Sequence, residues 1–106
     1  MQFDVYADTG GNYRWRLIGG NGQKVAGSGE AFANKSNATR AAEGFKAGAK
    51  TYHYETYADA SGSYRWRAKA GNGEKVASSG ESFANQSNAT RAAENVRDNA
   101  GSATGP

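Results

Sequence analysis

Four arginines and two tyrosines are the residues whose types and spacing in this sequence best suit binding chemistry. Tyr13-Arg14-Trp15-Arg16 returns unchanged as Tyr64-Arg65-Trp66-Arg67, with a tyrosine at the same distance upstream of each motif. Guanidinium groups neutralise phosphates and aromatic rings stack on bases, so this combination suits single-stranded nucleic acid or another polyanion. The candidate binding face consists of Tyr6, Arg14, Arg16, Tyr57, Arg65 and Arg67.

The same arginines also have a purely structural interpretation. Within a sheet they can stack on the tyrosines and form ion pairs with Asp4, Asp8, Glu55 and Asp59. In this interpretation every charged side chain has a partner within the protein, and no ligand is needed. Antiparallel sheets also commonly keep one face in water. We favour it, and the two interpretations differ in whether an anion binds to the face.

Other side chains capable of catalysis or metal binding lack the neighbours that such chemistry needs. His53 is the only histidine, whereas a metal site needs several convergent ligands. The repeated acids Asp8, Asp59, Glu30 and Glu81 are expected to border turns or balance the arginines, because a catalytic carboxylate needs a cleft that shifts its pKa. The sequence predicts no catalytic residue, no metal site and no cofactor.

Three further motifs match functional patterns but have simpler structural explanations. Gly19-Gly20-Asn21-Gly22 joins two predicted strands and does not open a helix, so it lacks the geometry of a phosphate-binding loop. Asn37-Ala38-Thr39 and Asn88-Ala89-Thr90 match the N-glycosylation pattern, but they fall at predicted helix starts. We interpret the first motif as a hairpin and the other two as parts of helix caps.

Composition limits the protein to a small fold. The 106 residues include 37% hydrophobic residues, 15 Gly and no Cys, and the formal net charge is +3. The lack of cysteine excludes disulfides and thiolate chemistry, and the charge is far below that of a dedicated nucleic-acid protein. The first residues lack a signal-peptide pattern and no apolar run could cross a bilayer. We expect a cytoplasmic protein that does not enter a membrane.

Alternating hydrophobicity predicts the strands that position the arginines. In the segment from Phe3 to Asp8, Phe3, Val5 and Ala7 share one face and Tyr6 takes the other. In the next strand Trp15 belongs to the buried face, and its two arginine neighbours point the opposite way. The large indole is expected to lie in the core.

The hairpin after this strand admits two loop lengths. A two-residue Asn21-Gly22 turn would place Val25 opposite Ile18, on the arginine face. A three-residue loop, with Gly22 in the left-handed conformation, would place Val25 opposite Leu17 on the tryptophan face. We prefer the three-residue loop because it buries Val25 beside Trp15.

A helix follows the third strand. Asn34-Lys35-Ser36-Asn37 offers side-chain oxygens that can cap its first N–H groups. Arg40 and Glu43 are spaced to pair on its outer side, and Gly48 is expected to end it. The apolar positions recur at helical spacing and form one narrow face, made of Ala38, Ala41, Ala42 and Phe45.

From Thr51 the whole pattern begins again, shifted by fifty-one positions, and more than half of the aligned residues are identical. We predict an α+β fold in which tandem β-β-β-α repeats share one antiparallel sheet, with two helices packed on one face. The domain is expected to span 1–100, with repeat 1 over 1–50, repeat 2 over 51–100 and a flexible tail over 101–106.

The joint pattern resembles the YegP-like family of small uncharacterised bacterial proteins. It is carried by Gly11-Asn12-Tyr13-Arg14-Trp15-Arg16, the following Asn-Gly and the Ser-x-x-Ala before a short helix, all in tandem. The resemblance implies three strands and a helix per repeat, and a further strand after each helix that can be exchanged between units. Thr51 to Thr56 could be that strand after the first helix, whereas the Gly-rich tail is a poor equivalent after the second. The resemblance implies no activity and no site residues.

The sequence thus predicts a non-enzymatic binding or interaction domain of unknown function, most simply a monomer. One hypothesis is weak binding of single-stranded nucleic acid or another polyanion through the arginine and tyrosine side chains. A second is a protein partner, or self-association, through exposed strand edges.

Overall fold

The computed structural model describes residues 1–106. Its strands are β1 (Gln2–Ala7), β2 (Tyr13–Ile18), β3 (Lys24–Gly27), β4 (His53–Ala58), β5 (Tyr64–Lys69) and β6 (Lys75–Ser79). The helices are α1 (Lys35–Gly48) and α2 (Gln86–Asn99), and a short 3-10 turn covers Ala100–Ser102. Each helix is too short and too polar to span a bilayer.

All six strands form one antiparallel sheet in the order β1-β2-β3-β6-β5-β4. The repeats join at the centre, where β3 pairs with β6 through Ala26 opposite Ser79 and Gly27 opposite Ser78. Both helices pack on the face that carries the tryptophans. The predicted α+β fold with two repeats sharing a sheet is therefore confirmed.

The core is richer in the first repeat. Trp15 stacks on Phe45 with their ring centroids 5.1 Å apart, and Tyr52 stacks on the other side of Phe45 at 5.6 Å. In the second repeat Val96 stands where Phe45 stands in the first, and the buried Nε1–H of Trp66 has no hydrogen-bond partner. The second repeat thus contributes less aromatic packing and leaves one polar group unsatisfied.

The hairpin loop has the predicted three residues, but the pairing beyond it differs from the prediction. Gly19 N–H donates to Gln23 O at 2.8 Å, and Gly22 has a φ of +82°. A bulge then places Ala26, and not Val25, opposite Leu17. Val25 is the extra residue of this bulge, and it still packs against the core.

Both helices begin at the predicted asparagine caps. The Asn34 side chain accepts a hydrogen bond from Asn37 N–H, and Asn85 accepts one from Asn88 N–H, both at 2.8 Å. The predicted Arg40–Glu43 pair is wrong, because the Arg40 guanidinium donates instead to Asn37 Oδ1 at 2.6 Å.

The role of Gly48 at the end of α1 also differs from the prediction. Gly48 is the last helical residue and has no left-handed backbone, so it is not a glycine cap of the expected type. Its small size matters instead, because a Cβ there would lie 2.9 Å from the Tyr52 ring. A larger residue at this point of the helix would therefore force the Tyr52 ring to shift from its place over Phe45.

Residues 101–106 do not leave the fold as the predicted flexible tail. Thr104 pairs in parallel with Gln2 at the outer edge of β1, and Ala103 is only 5% exposed. The glycine-rich composition concealed this pairing because it depends on backbone groups and on a small side chain, neither of which gives a hydrophobic pattern.

Candidate binding face

The sheet alternation places the candidate residues on one surface, opposite the helices, which we call the arginine face. In repeat 1, Tyr6 lies directly opposite Arg14, and Asp4 lies opposite Arg16. Repeat 2 has the same arrangement, with Tyr57 opposite Arg65 and Glu55 opposite Arg67. The six candidate residues are all half-buried and lie on the four outer strands of the sheet.

The second arginine of each motif is held by an acid and a ring. Arg16 Nε donates to Asp4 Oδ2 at 2.9 Å, and its guanidinium carbon lies 4.4 Å from the centroid of the Tyr6 ring. Arg67 pairs with Glu55 in the same way and lies 4.5 Å from the Tyr57 centroid. Cation–π contact and ion pairing therefore fix the guanidinium planes against the sheet.

The first arginine of each motif is held by an aspartate at the end of the preceding strand. Asp8 Oδ1 accepts the N–H groups of Gly10 and Asn12, and its Oδ2 accepts Arg14 Nε at 3.1 Å. Asp59 and Arg65 repeat this contact at 3.1 Å. The two aspartates thus shape the turns and orient the arginines at the same time.

These contacts favour the ionised form of Glu55 and of Asp8. Hydrogen bonds from Arg67 and then Lys69 hold the pKa of Glu55 below its usual value. Partial burial opposes ionisation of Asp8, but the Asn12 N–H, the Arg14 guanidinium and the Gly10 N–H outweigh it, so the pKa of Asp8 is also lowered. Carboxylates of this kind are poor proton donors at neutral pH.

Two lysines that the sequence prediction missed lie on the two central strands of the arginine face, each at the first residue of its strand. Lys24 on β3 pairs with Ile18, and Lys75 on β6 pairs with Lys69, so both share the side of the sheet that carries the arginines. Both are exposed, and neither forms an ion pair. The three-residue loop predicted from the sequence already pairs Lys24 with Ile18, which lies on the arginine face. This pairing was the signal in the sequence that could have identified Lys24.

The two central strands carry small residues, Gly27 and Ser78, at the centre of the face. Arg16 pairs with Gly27, Gly27 with Ser78, and Ser78 with Arg67, so one row crosses the four inner strands. At a strand spacing of about 4.8 Å, the backbones of the two arginines are roughly 14 Å apart. A depression of about 460 Å³ lies on the first repeat's side of this row, bordered by Asp4, Arg16 and Lys24 among others.

The remaining candidates from the sequence do not converge into a site. His53 is exposed at the start of β4 opposite Lys69, and no three histidine, aspartate or glutamate side chains lie close enough to hold a metal ion. Glu30 and Glu81 are exposed and form no ion pairs.

Comparison with known proteins identifies relatives but no activity. The family model described as a domain of unknown function, DUF1508, matches residues 8–52 and 59–104. A UPF0339 protein in the ptx operon 5' region of Stutzerimonas stutzeri is 31% identical over 99 residues, which is 92% of this chain and 87% of the relative.

Two solution NMR structures share the fold. The protein of unknown function yegP from E. coli superposes with a TM-score of 0.80 at 22% identity, over 97% of this chain and 88% of that chain. The UPF0339 protein SO3888 from Shewanella oneidensis gives a TM-score of 0.80 at 17% identity, over 97% of this chain and 86% of that chain. At these identities the likeness concerns the fold alone.

Proposed function

This chain belongs to the family of the domain of unknown function DUF1508, and from that premise we propose that it is a non-catalytic binding module acting through the arginine face. The ligand class we propose is a polyanion, of which single-stranded nucleic acid is the representative. The single observation that supports this most strongly is the pair of exposed, unpaired lysines between the two arginine clusters.

Charge on the face favours an anionic partner. Four acids hold the four arginines, and Glu55 is shared between Arg67 and Lys69, so the positive excess of the face comes from this shared acid and from the unpaired Lys24 and Lys75. A phosphate that approaches the depression beside Lys24 meets the ammonium group of this lysine. Lys24 can bind the phosphate without first releasing an acidic side chain. The guanidinium of Arg16 is next to it and already oriented by Asp4 and Tyr6.

The ion pairs between arginines and acids determine how strongly the face is expected to bind an anion. The lysines determine how binding depends on salt. A phosphate that engages an arginine must compete with Asp4 or Glu55, so binding is weak compared with that of proteins whose arginines are unpaired. Each lysine that neutralises a phosphate releases counterions, which makes the affinity fall with added salt. Stacking of bases on the tyrosine rings is limited because Arg16 and Arg67 cover them.

Two further parts of the proposal concern catalysis and assembly. Glu55 and Asp8 are bound by cations that lower the pKa of each carboxyl, which supports a non-catalytic role. Pairing of the C-terminal segment with β1 covers part of one sheet edge, which supports a monomer. The cytoplasmic location expected from the sequence stays a prediction.

The test is a titration of isotope-labelled protein with short single-stranded oligonucleotides of mixed sequence at low and moderate salt. We expect amide and arginine side-chain shifts clustered on the arginine face. The variant Lys24→Ala/Lys75→Ala should bind more weakly, and the slope of log affinity against log salt should fall by about two.

The matched control is Lys35→Ala/Lys50→Ala, which removes two exposed lysines that lie outside the sheet and form no ion pairs. It should leave the site of the shifts unchanged. Absence of shifts at low salt, or an equal loss in both variants, would overturn the proposal and leave the arginines with a structural role only.

A further inference from the structure

Each helix forms a groove with the edge strand of its repeat, α1 with β1 and α2 with β4. The C-terminal segment of the chain lies in the first groove as an added parallel strand. Phe3 N–H donates to Thr104 O at 2.8 Å, and Thr104 N–H donates to Met1 O at 3.0 Å. The fold thus uses β1 as a template for an extended segment.

The seated segment shows which sequence such a groove accepts. Ala103 is 5% exposed, so the position before the paired threonine takes a small side chain. Gly105 has a φ of +75°, and a Cβ there would lie 2.8 Å from the carbonyl oxygen of Phe3. Lys46 Nζ donates to the Gly105 carbonyl at 2.9 Å. The groove therefore accepts a segment in which a small residue is followed by any residue and then by glycine. A cationic side chain of the helix binds the carbonyl of that glycine.

The corresponding groove of the second repeat is open. It has a volume of about 150 Å³ and is lined by Tyr54, Thr56, Thr90, Ala93, Glu94 and Arg97. The fifty-one-residue shift relates Thr90, Ala93 and Glu94 to an identical threonine, alanine and glutamate of α1. It also relates Arg97 to Lys46, so a cation stands at the same place.

The backbone beside this groove is unpaired. The repeat relates Tyr54 N–H and Tyr52 C=O to the two groups that bind Thr104 in the first groove. The sheet ends at β4, so no strand covers them. An exposed edge with its own helix groove is a ready template for strand addition.

We propose that the groove between β4 and α2 binds an extended segment of another protein, parallel to β4, with a small residue followed two positions later by glycine. This site is separate from the arginine face. A second copy of this chain is a poorer occupant, because its tail would have to vacate its own groove and the exchange would gain no new strand pairing. Arg97 donates to Asp98 at 2.9 Å in this structure and must turn from it to bind the carbonyl of the segment.

The probe is a synthetic heptapeptide with the sequence of residues 100–106, added in trans to the isotope-labelled full chain. The tail of the same molecule holds the first groove at high effective concentration, so the peptide should bind the second. We expect shifts of the amides of Tyr54 and Thr56 and of the groove side of α2. Two peptide variants, with Leu in place of Ala103 or Ala in place of Gly105, should bind at least tenfold more weakly.

Protein variants locate the site. Thr90→Arg places a long side chain in the groove and should abolish binding, whereas Ser87→Arg adds the same charge to an exposed position of α2 outside it. Equal binding by both variants would overturn the proposal. So would shifts confined to Gln2 and Phe3, which would show exchange with the tail, or no shifts at about 1 mM peptide. Concentration-dependent sedimentation of the chain alone, lost in Thr90→Arg, would overturn it in favour of a second copy.

Discussion

The carboxylate of Asp59 is hydrogen-bonded on both oxygens. Oδ1 accepts the hydroxyl of Ser61 at 2.7 Å and the N–H groups of Ser61 and Ser63 at 3.0 Å, and Oδ2 accepts Arg65 Nε at 3.1 Å. The Ser61 hydroxyl, with the Arg65 guanidinium and the backbone N–H groups, lowers the pKa of Asp59. In repeat 1 a glycine replaces this serine, so Asp8 lacks the hydroxyl donor.

This pKa shift gives a prediction for acid stability. The folded pKa of Asp59 is below its ordinary value of 3.8, so in acid the unfolded chain binds this proton first. The stabilisation is complete above the ordinary pKa and is lost as the pH falls through the folded pKa. We expect Asp59→Asn to be less stable than the parent at neutral pH and to lose less stability on acidification.

Urea denaturation followed from pH 7 down to about pH 2 measures both effects. Glu81→Gln is the control, because Glu81 is exposed and forms no ion pair. Parallel curves of unfolding free energy against pH for the parent and Asp59→Asn would contradict the prediction.

At the scale of elements, the hairpin between β2 and β3 is fixed by one glycine. Gly22 has a φ of +82°, whereas the neighbouring Gly20 has no positive φ, and a Cβ added at Gly20 would meet nothing within 4 Å. The left-handed backbone at Gly22 makes the loop three residues long. That length places Lys24 opposite Ile18 on the arginine face.

Gly22→Ala is therefore expected to reduce the free energy of unfolding by about 1–2 kcal/mol, since a Cβ strains a left-handed backbone. Gly20→Ala in the same loop should be neutral, or stabilising by up to about 1 kcal/mol, because it restricts the unfolded chain without strain. Chemical denaturation of the two variants tests this. Equal destabilisation would show that the loop conformation does not depend on Gly22.

At the scale of the whole molecule, the C-terminal segment joins the two repeats a second time. The repeats meet through β3 and β6 at the centre of the sheet, and the segment after α2 returns to β1 at its far edge. The second contact ties the end of repeat 2 to the first strand of repeat 1. It also leaves β4 as the edge without an added strand.

Deleting residues 103–106 should lower the free energy of unfolding by about 2 kcal/mol or more, because the two backbone hydrogen bonds to β1, that of Ala103 N–H to Ala100 O and the burial of Ala103 are lost. It should also expose β1, so the truncated protein is expected to self-associate as its concentration rises. Denaturation and sedimentation velocity measure the two effects. Deleting Pro106 alone should change neither, and equal behaviour of both truncations would contradict the prediction.

The sequence by itself determined the features that depend on local periodicity and on duplication. Alternation in Tyr13-Arg14-Trp15-Arg16 separates indole from guanidinium in any antiparallel sheet. The asparagine caps, the three-residue loop and the matching of arginines to acids also follow from residues close in sequence or repeated in it. Whether the arginine face binds a ligand stays a prediction.

Only the tertiary structure decided the features that depend on which distant backbones meet. The bulge that displaces Val25, the ring of Tyr52 over Gly48 and the pairing of Thr104 with Gln2 arise from long-range contacts. Backbone hydrogen bonds form between any residues that close packing brings together, so composition does not encode their partners. The central place of Lys24 and Lys75, and the open groove beside β4, follow from the order of the strands in the sheet.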